Sequence, residues 1–156
     1  MPRLTCRWLL ILLLPLALLW LADRLFPLPL PEDDLARVVL AEDGTPLWRF
    51  ADHDGVWRYP VTPDAVSPYY LEALLTYEDR WFRQHPGINP LALGRAAWQN
   101  LTGGRVVSGG STLSMQVARL LDPHGRNLPG KLKQLWRTAQ LEWHLSKDEI
   151  LTLYLN

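Results

Sequence analysis

Glu78-Asp79-Arg80-Trp81-Phe82-Arg83-Gln84-His85-Pro86-Gly87 places an acidic pair where a helical stripe stops, and follows it with aromatic, imidazole and glycine residues. Upstream, Ser67-Pro68 is a helix start, with a capping residue and a proline at the first helical position, and Tyr70, Leu71, Leu74 and Leu75 share one face. The helix they predict ends near Glu78. Downstream, Asn89-Pro90 repeats the start signal, and Leu91, Gly94, Ala97, Trp98 and Leu101 form a stripe ending at Gly103-Gly104. The decapeptide is therefore a corner between two helices, and its side chains are the first candidates for chemistry.

The helical pattern continues. Gly109-Gly110-Ser111-Thr112-Leu113-Ser114-Met115-Gln116 predicts a third helix capped by Ser111, with Leu113, Val117, Leu120 and Leu121 on one face. Asp122-Pro123-His124-Gly125 ends it. A fourth helix is expected from about Lys131 to Leu145 and a fifth from near Ser146, with Asp148 and Glu149 in its first turn. Toward the N-terminus, Arg37–Ala41 and Pro46–Phe50 flank Glu42-Asp43-Gly44-Thr45 and predict a β-hairpin, with Val56–Tyr59 as a third extended piece.

Before the hairpin, Phe26-Pro27-Leu28-Pro29-Leu30-Pro31 reads as a stiff spacer. From Trp8 to Ala22 every residue is apolar, with Arg3 and Arg7 ahead of the run. As a helix this run reaches about 22 Å against a hydrocarbon core of roughly 30 Å, so spanning needs its flanks or local thinning. No Ala-x-Ala cleavage pattern follows, which favours an uncleaved signal-anchor over a signal peptide. The leading arginines put the N-terminus in the cytoplasm and the rest of the chain outside. The expected organisation is an anchor and spacer over 1–30, a juxtamembrane hairpin over 31–62, and a mainly helical domain over 63–156 that stops early.

Sixteen Lys and Arg balance sixteen Asp and Glu over 156 residues, so no global basic field points to nucleic acid. Cys6 is the lone cysteine and forms no internal disulfide.

Glu78 falls at a helix C-terminal end, where the macrodipole disfavours a carboxylate and Tyr77, Trp81 and Phe82 add apolar surroundings; that suits general acid or base work. Taken alone, it is also an ordinary solvated helix end. Asp79 either reacts or orients backbone donors or Arg80, and His85 is either functional or a structural histidine; no second ligand stands at metal spacing from it. Gly109-Gly110 ahead of Ser111-Thr112 leaves backbone N–H groups free for an anion such as phosphate, or forms a plain capped loop. Arg119, Arg126, Lys131, Lys133 and Arg137 make a basic series that suits a pyrophosphate or forms a solvated face.

Three segments together resemble a known family. Glu78-Asp79 with Phe82, His85 and Gly87, then Gly109 to Gln116, then Lys147-Asp-Glu-Ile-Leu-Thr-Leu-Tyr-Leu-Asn156 are similar to the motifs of the peptidoglycan glycosyltransferases of class A penicillin-binding proteins, glycosyltransferase family 51, and most of all to its 1C branch. The resemblance implies a mainly α, lysozyme-like domain, with a small lobe dipping into the outer face of the cytoplasmic membrane. It implies polymerisation of lipid II into β-1,4-linked glycan by inverting transfer, with Glu78 as the base that takes the acceptor hydroxyl proton. By the same resemblance Arg119, Arg126 and Lys131 hold the lipid pyrophosphate, and Ser111, Thr112 and Gln116 line the donor site. Asp79, Phe82, His85 and Gln134 join the substrate-binding set. The implied partners are lipid II, the growing glycan, the membrane and other cell wall synthesis proteins, with no nucleic acid.

Two departures stand out. Gln134 occupies the place of a second family glutamate, and Met115 that of the first residue of a common Gln-Gln pair. A glutamine supplies neither negative charge nor a carboxylate ligand, so no cofactor is assigned and assistance by Mg or Mn stays open. Glu142 is read as structural. Family members continue beyond Asn156, and the expectation is that these residues alone fold incompletely or are inactive. The competing readings are a non-catalytic membrane-anchored scaffold or remnant, and a lysozyme-like hydrolase using one glutamate as an acid.

Overall fold

The computed structural model describes residues 3–31, 36–104, 109–125 and 127–156, with the side chains of residues 3–12 and of position 97 outside that description. Among them the order is helix α1 (Arg3–Leu25), strands β1 (Arg37–Leu40) and β2 (Pro46–Phe50), and a 3-10 turn at Pro63–Ala65. Five helices follow: α2 (Pro68–Glu78), α3 (Pro90–Gly103), α4 (Leu113–Leu121), α5 (Leu128–His144) and α6 (Lys147–Leu155). The chain is mainly helical with a two-stranded antiparallel hairpin, as its periodicity predicts.

Start signals explain most boundaries. Asn89 caps α3 by accepting from the Ala92 N–H, and Gly104 closes it in a left-handed conformation. Ser146 and Glu149 form a reciprocal capping box on α6. Two boundaries move. The α4 cap is Thr112, not Ser111, because the Thr112 hydroxyl accepts from Met115 N–H while donating to the Gly87 carbonyl. Helix α5 starts at Leu128 rather than near Lys131, because Asn127 accepts from Gly130 N–H and Pro129 fits the first turn without needing a donor.

The hairpin pairs Arg37 with Phe50 and Val39 with Trp48, and every residue of both strands is exposed. Val56–Tyr59 does not extend it as a third strand. That segment is tied instead by single backbone bonds, from Ala36 N–H to the Arg58 carbonyl and from Asp52 N–H to the Val56 carbonyl.

The core is built on α4, packed between α5 and α6. Phe82, Leu113, Val117, Ala118, Leu141, Ile150 and Leu151 are its fully enclosed members. Burying each larger side chain contributes roughly 1.5–3 kcal/mol. Gly87 fits this packing because it has φ 75°, and a Cβ there would lie 2.6 Å from Glu142 Cγ and 2.8 Å from Thr138 Cγ2. Asn156 closes the other end, where its side-chain amide accepts from Val61 N–H and donates to the Val61 carbonyl.

The sequence predicts a membrane span at the N-terminus. Among the described residues no helix is long and apolar enough to cross a membrane. Helix α1 runs from Arg3 to Leu25, 23 residues, with Pro15 inside it and Asp23 and Arg24 in its last turn. The exit of α1 is held by α5. Asp23 accepts from Gln140 Nε2 at 2.8 Å and pairs with His144 Nε2 at 2.9 Å, while Arg137 donates to the Phe26 and Pro27 carbonyls.

Candidate active site

Glu78 is the last residue of α2 and is half-buried. Its Oε2 accepts from Gln116 Nε2 at 2.8 Å, which fixes the carboxylate against the exposed side of α4. Asp79 turns the other way. Its buried carboxylate accepts from Leu113 N–H at 3.0 Å and lies 2.9 and 3.1 Å from His85 Nε2. An anionic group at the start of α4 is favoured by the helix dipole and satisfies an otherwise orphaned donor. The acidic pair therefore divides, with Glu78 bound to Gln116, a residue of the cleft wall, and Asp79 bolting the corner to α4.

Asp79, Phe82 and His85 are 8%, 1% and 8% exposed, so they lie beneath the cleft rather than on its wall. His85 Nδ1 is buried without a hydrogen-bond partner among the described residues. Lys147 lies over the Phe82 ring at 4.6 Å, donates to the His85 carbonyl, and pairs with Glu142 at 2.7 Å. Glu142 also accepts from the Ser114 hydroxyl. These bonds make Glu142 a buttress, in agreement with its structural reading.

The cleft itself has two joined halves, of about 740 and 460 Å³. Ser111, Arg119, His124 and Gln134 line both halves; Gln116 and Tyr154 close the first and Lys131 the second. Thr112, by contrast, is 2% exposed and serves as a cap. Arg126 lies outside the described residues.

The basic series separates into two groups. Lys133 and Arg137 bind the Asp122 carboxylate at 2.6 and 2.8 Å. The Lys133 hydrogen bond, with help from Arg137, holds that carboxyl below the usual carboxylate range against the opposing effect of burial. Arg119 and Lys131 form no ion pair among the described residues. Partial burial, and then the Arg119 guanidinium, push the Lys131 ammonium below its ordinary value. Two cations that raise each other's energy at one concave wall favour an anion there.

Gln134 is buried, donates to the Met115 carbonyl at 2.7 Å and accepts from Lys131 Nζ at 3.0 Å. It thus orients Lys131 and uses up its own amide. Among the described residues no three His, Cys, Asp or Glu side chains converge as a metal site. With amides at Gln116 and Gln134 where a divalent ion favours carboxylates, the donor set does not fit such an ion and no step is routed through one.

Sequence reading passed over His124 and Tyr154. Burial first, then the Glu78 charge, push the Tyr154 phenol up, which places it in the electrostatic reach of that carboxylate. The available signals were weak: an imidazole between proline and glycine inside the basic series, and a tyrosine on the otherwise apolar stretch of α6.

The transglycosylase family matches residues 40–156. The chain is 65% identical to penicillin-binding protein 1C of Escherichia coli K12 over 162 aligned positions, covering all of this chain and 21% of that protein. It is 46% identical to penicillin-binding protein 1B of Vibrio cholerae over 60% of this chain and 12% of that protein. Against penicillin-binding protein 1A of Escherichia coli K12 the identity is 41%, over 64% of this chain and 12% of that protein. The chain thus spans about a fifth or less of the length of these curated relatives. Its helical body, its corner at Glu78 and these matches together place the chain in the transglycosylase family of peptidoglycan glycosyltransferases, on the side of penicillin-binding protein 1C.

Proposed function

We propose that this chain supplies the sugar-transfer site of an envelope enzyme that polymerises lipid II into β-1,4-linked glycan with inversion. The observation that carries the reading is that Gln116, which holds Glu78 at 2.8 Å, lines the cleft beside Arg119, with Lys131 in its second half, and that neither cation forms an ion pair among the described residues. Single-displacement inversion needs a base on the acceptor side and positive charge where the leaving group departs. Glu78 takes the proton of the acceptor hydroxyl. Arg119 and Lys131 receive the charge that develops on the lipid diphosphate, and Ser111 and Gln116 orient the donor sugar. Asp79, Phe82, His85 and Thr112 act by holding the corner and the start of α4 in register.

The envelope placement is part of the proposal. Leu91, Trp98 and Leu101 on α3 are 85%, 69% and 80% exposed, and the described part of α1 is apolar and exposed from Leu13 to Leu21. Such patches on a domain acting on a lipid-borne sugar fit the outer leaflet of the cytoplasmic membrane. The decisive experiment is polymerisation of purified lipid II. Product from the native sequence in its full-length context, lost in Glu78→Gln without loss of fold, supports the reading. Equal glycan synthesis by the two forms removes Glu78 as the base, and no synthesis by the folded native protein sinks the whole reading and leaves the scaffold one.

A further inference from the structure

The turn that follows α4 carries an imidazole on the wall shared by both halves of the cleft. His124 Nδ1 lies 2.9 Å from the Asp122 carbonyl oxygen. A carbonyl oxygen only accepts, so Nδ1 carries a proton and Nε2 is the nitrogen left for a ligand. The ring is half-buried, in the company of Arg119 from α4, Lys131 from α5 and the Tyr154 phenol from α6. The nearest acid, Asp122, is occupied by Lys133 and Arg137. Nothing among these groups competes with an anion for the imidazole.

The committed Nδ1–H gives the ring two states of opposite polarity. Neutral, it offers a lone pair at Nε2, which repels a phosphate oxygen; doubly protonated, it offers an N–H in a charge-assisted bond. We infer that His124 is a further diphosphate-binding residue of this cleft, taking up a proton on Nε2 and donating to a phosphate oxygen beside Arg119 and Lys131. The inference rests on the reading of the cleft as a diphosphate site. It adds an imidazole donor from the turn after α4 to the cations of α4 and α5. The affinity due to His124 is present where Nε2 holds a proton and is absent where it does not.

The test uses inorganic pyrophosphate as the probe, with the detergent-solubilised protein in its full-length context labelled at its histidine nitrogens. Affinity is measured by calorimetry at about pH 6 and about pH 8. Pyrophosphate is expected to convert the His124 ring from the Nδ1–H tautomer to the doubly protonated form. His124→Ala is expected to weaken binding about tenfold at the lower pH and little at the higher. His124→Gln, which donates without charge, should keep part of the affinity and lose the difference between the two pH values. A native-to-variant ratio of one at both pH values, with Arg119→Ala and Lys131→Ala still weakening binding, would overturn the role of His124 and leave the diphosphate cleft standing. A native chain whose amide spectrum is folded, but which does not bind pyrophosphate, would end both.

Discussion

At Gly87 two constraints coincide, a positive φ of 75° and a neighbouring wall made of Glu142 and Thr138. Gly87→Ala is expected to cost about 2–4 kcal/mol, since both backbone strain and overpacking act at once, and thermal unfolding followed by circular dichroism would read it. Glu78→Gln should leave that unfolding curve almost in place while lowering glycan synthesis on the order of a hundredfold or more, the scale of a lost general base. A shared loss of stability and activity would instead make Glu78 a structural residue. Asp122 offers a pH signature. Its carboxyl sits lower in the folded chain than the ordinary carboxylate value, so its contribution is present above that value and is lost as pH falls through the folded one. Asp122→Asn should therefore flatten the acid side of the stability profile in equilibrium unfolding, with no change near neutrality in the slope against pH.

Element by element, what the sequence made legible was local. Pro68, Asn89-Pro90 and Ser146 each act through groups within one turn of themselves, so α2, α3 and α6 could be placed from their start signals. The start of α4 could not, because the choice of Thr112 over Ser111 depends on the carbonyl of Gly87, which the chain brings close only after folding. The candidate site divides along the same line. Glu78 was readable from its position at a helix end, whereas the sorting of the basic series required knowing that Asp122 lies against Lys133 and Arg137. The inward turn of Asp79 and His85 was equally invisible, since its cause is the orphaned N–H of Leu113 in another helix. At this scale the capping box predicts that Ser146→Ala costs about 1 kcal/mol and frays the first turn of α6, visible as faster amide exchange there.

For the molecule as a whole, the exposed apolar residues of α3 set an expectation about where it sits. Replacing Leu91, Trp98 and Leu101 together by glutamate should reduce co-sedimentation with vesicles of phosphatidylethanolamine and phosphatidylglycerol several-fold, each change removing roughly 1.5–3 kcal/mol of available burial. Unchanged sedimentation would confine any membrane contact to other parts of the chain. A different kind of consequence follows from the pair of hydrogen bonds between Asn156 and the backbone of Val61, which joins positions 95 residues apart. Mechanically it is a clasp. Tension entering near the hairpin and leaving at Asn156 passes across these two bonds, loading them in parallel, and bypasses the walls of the cleft between α4 and α5. A fold fastened in this way can be tugged at these two points while the spacing between its base and its cations stays unchanged, until the clasp gives way.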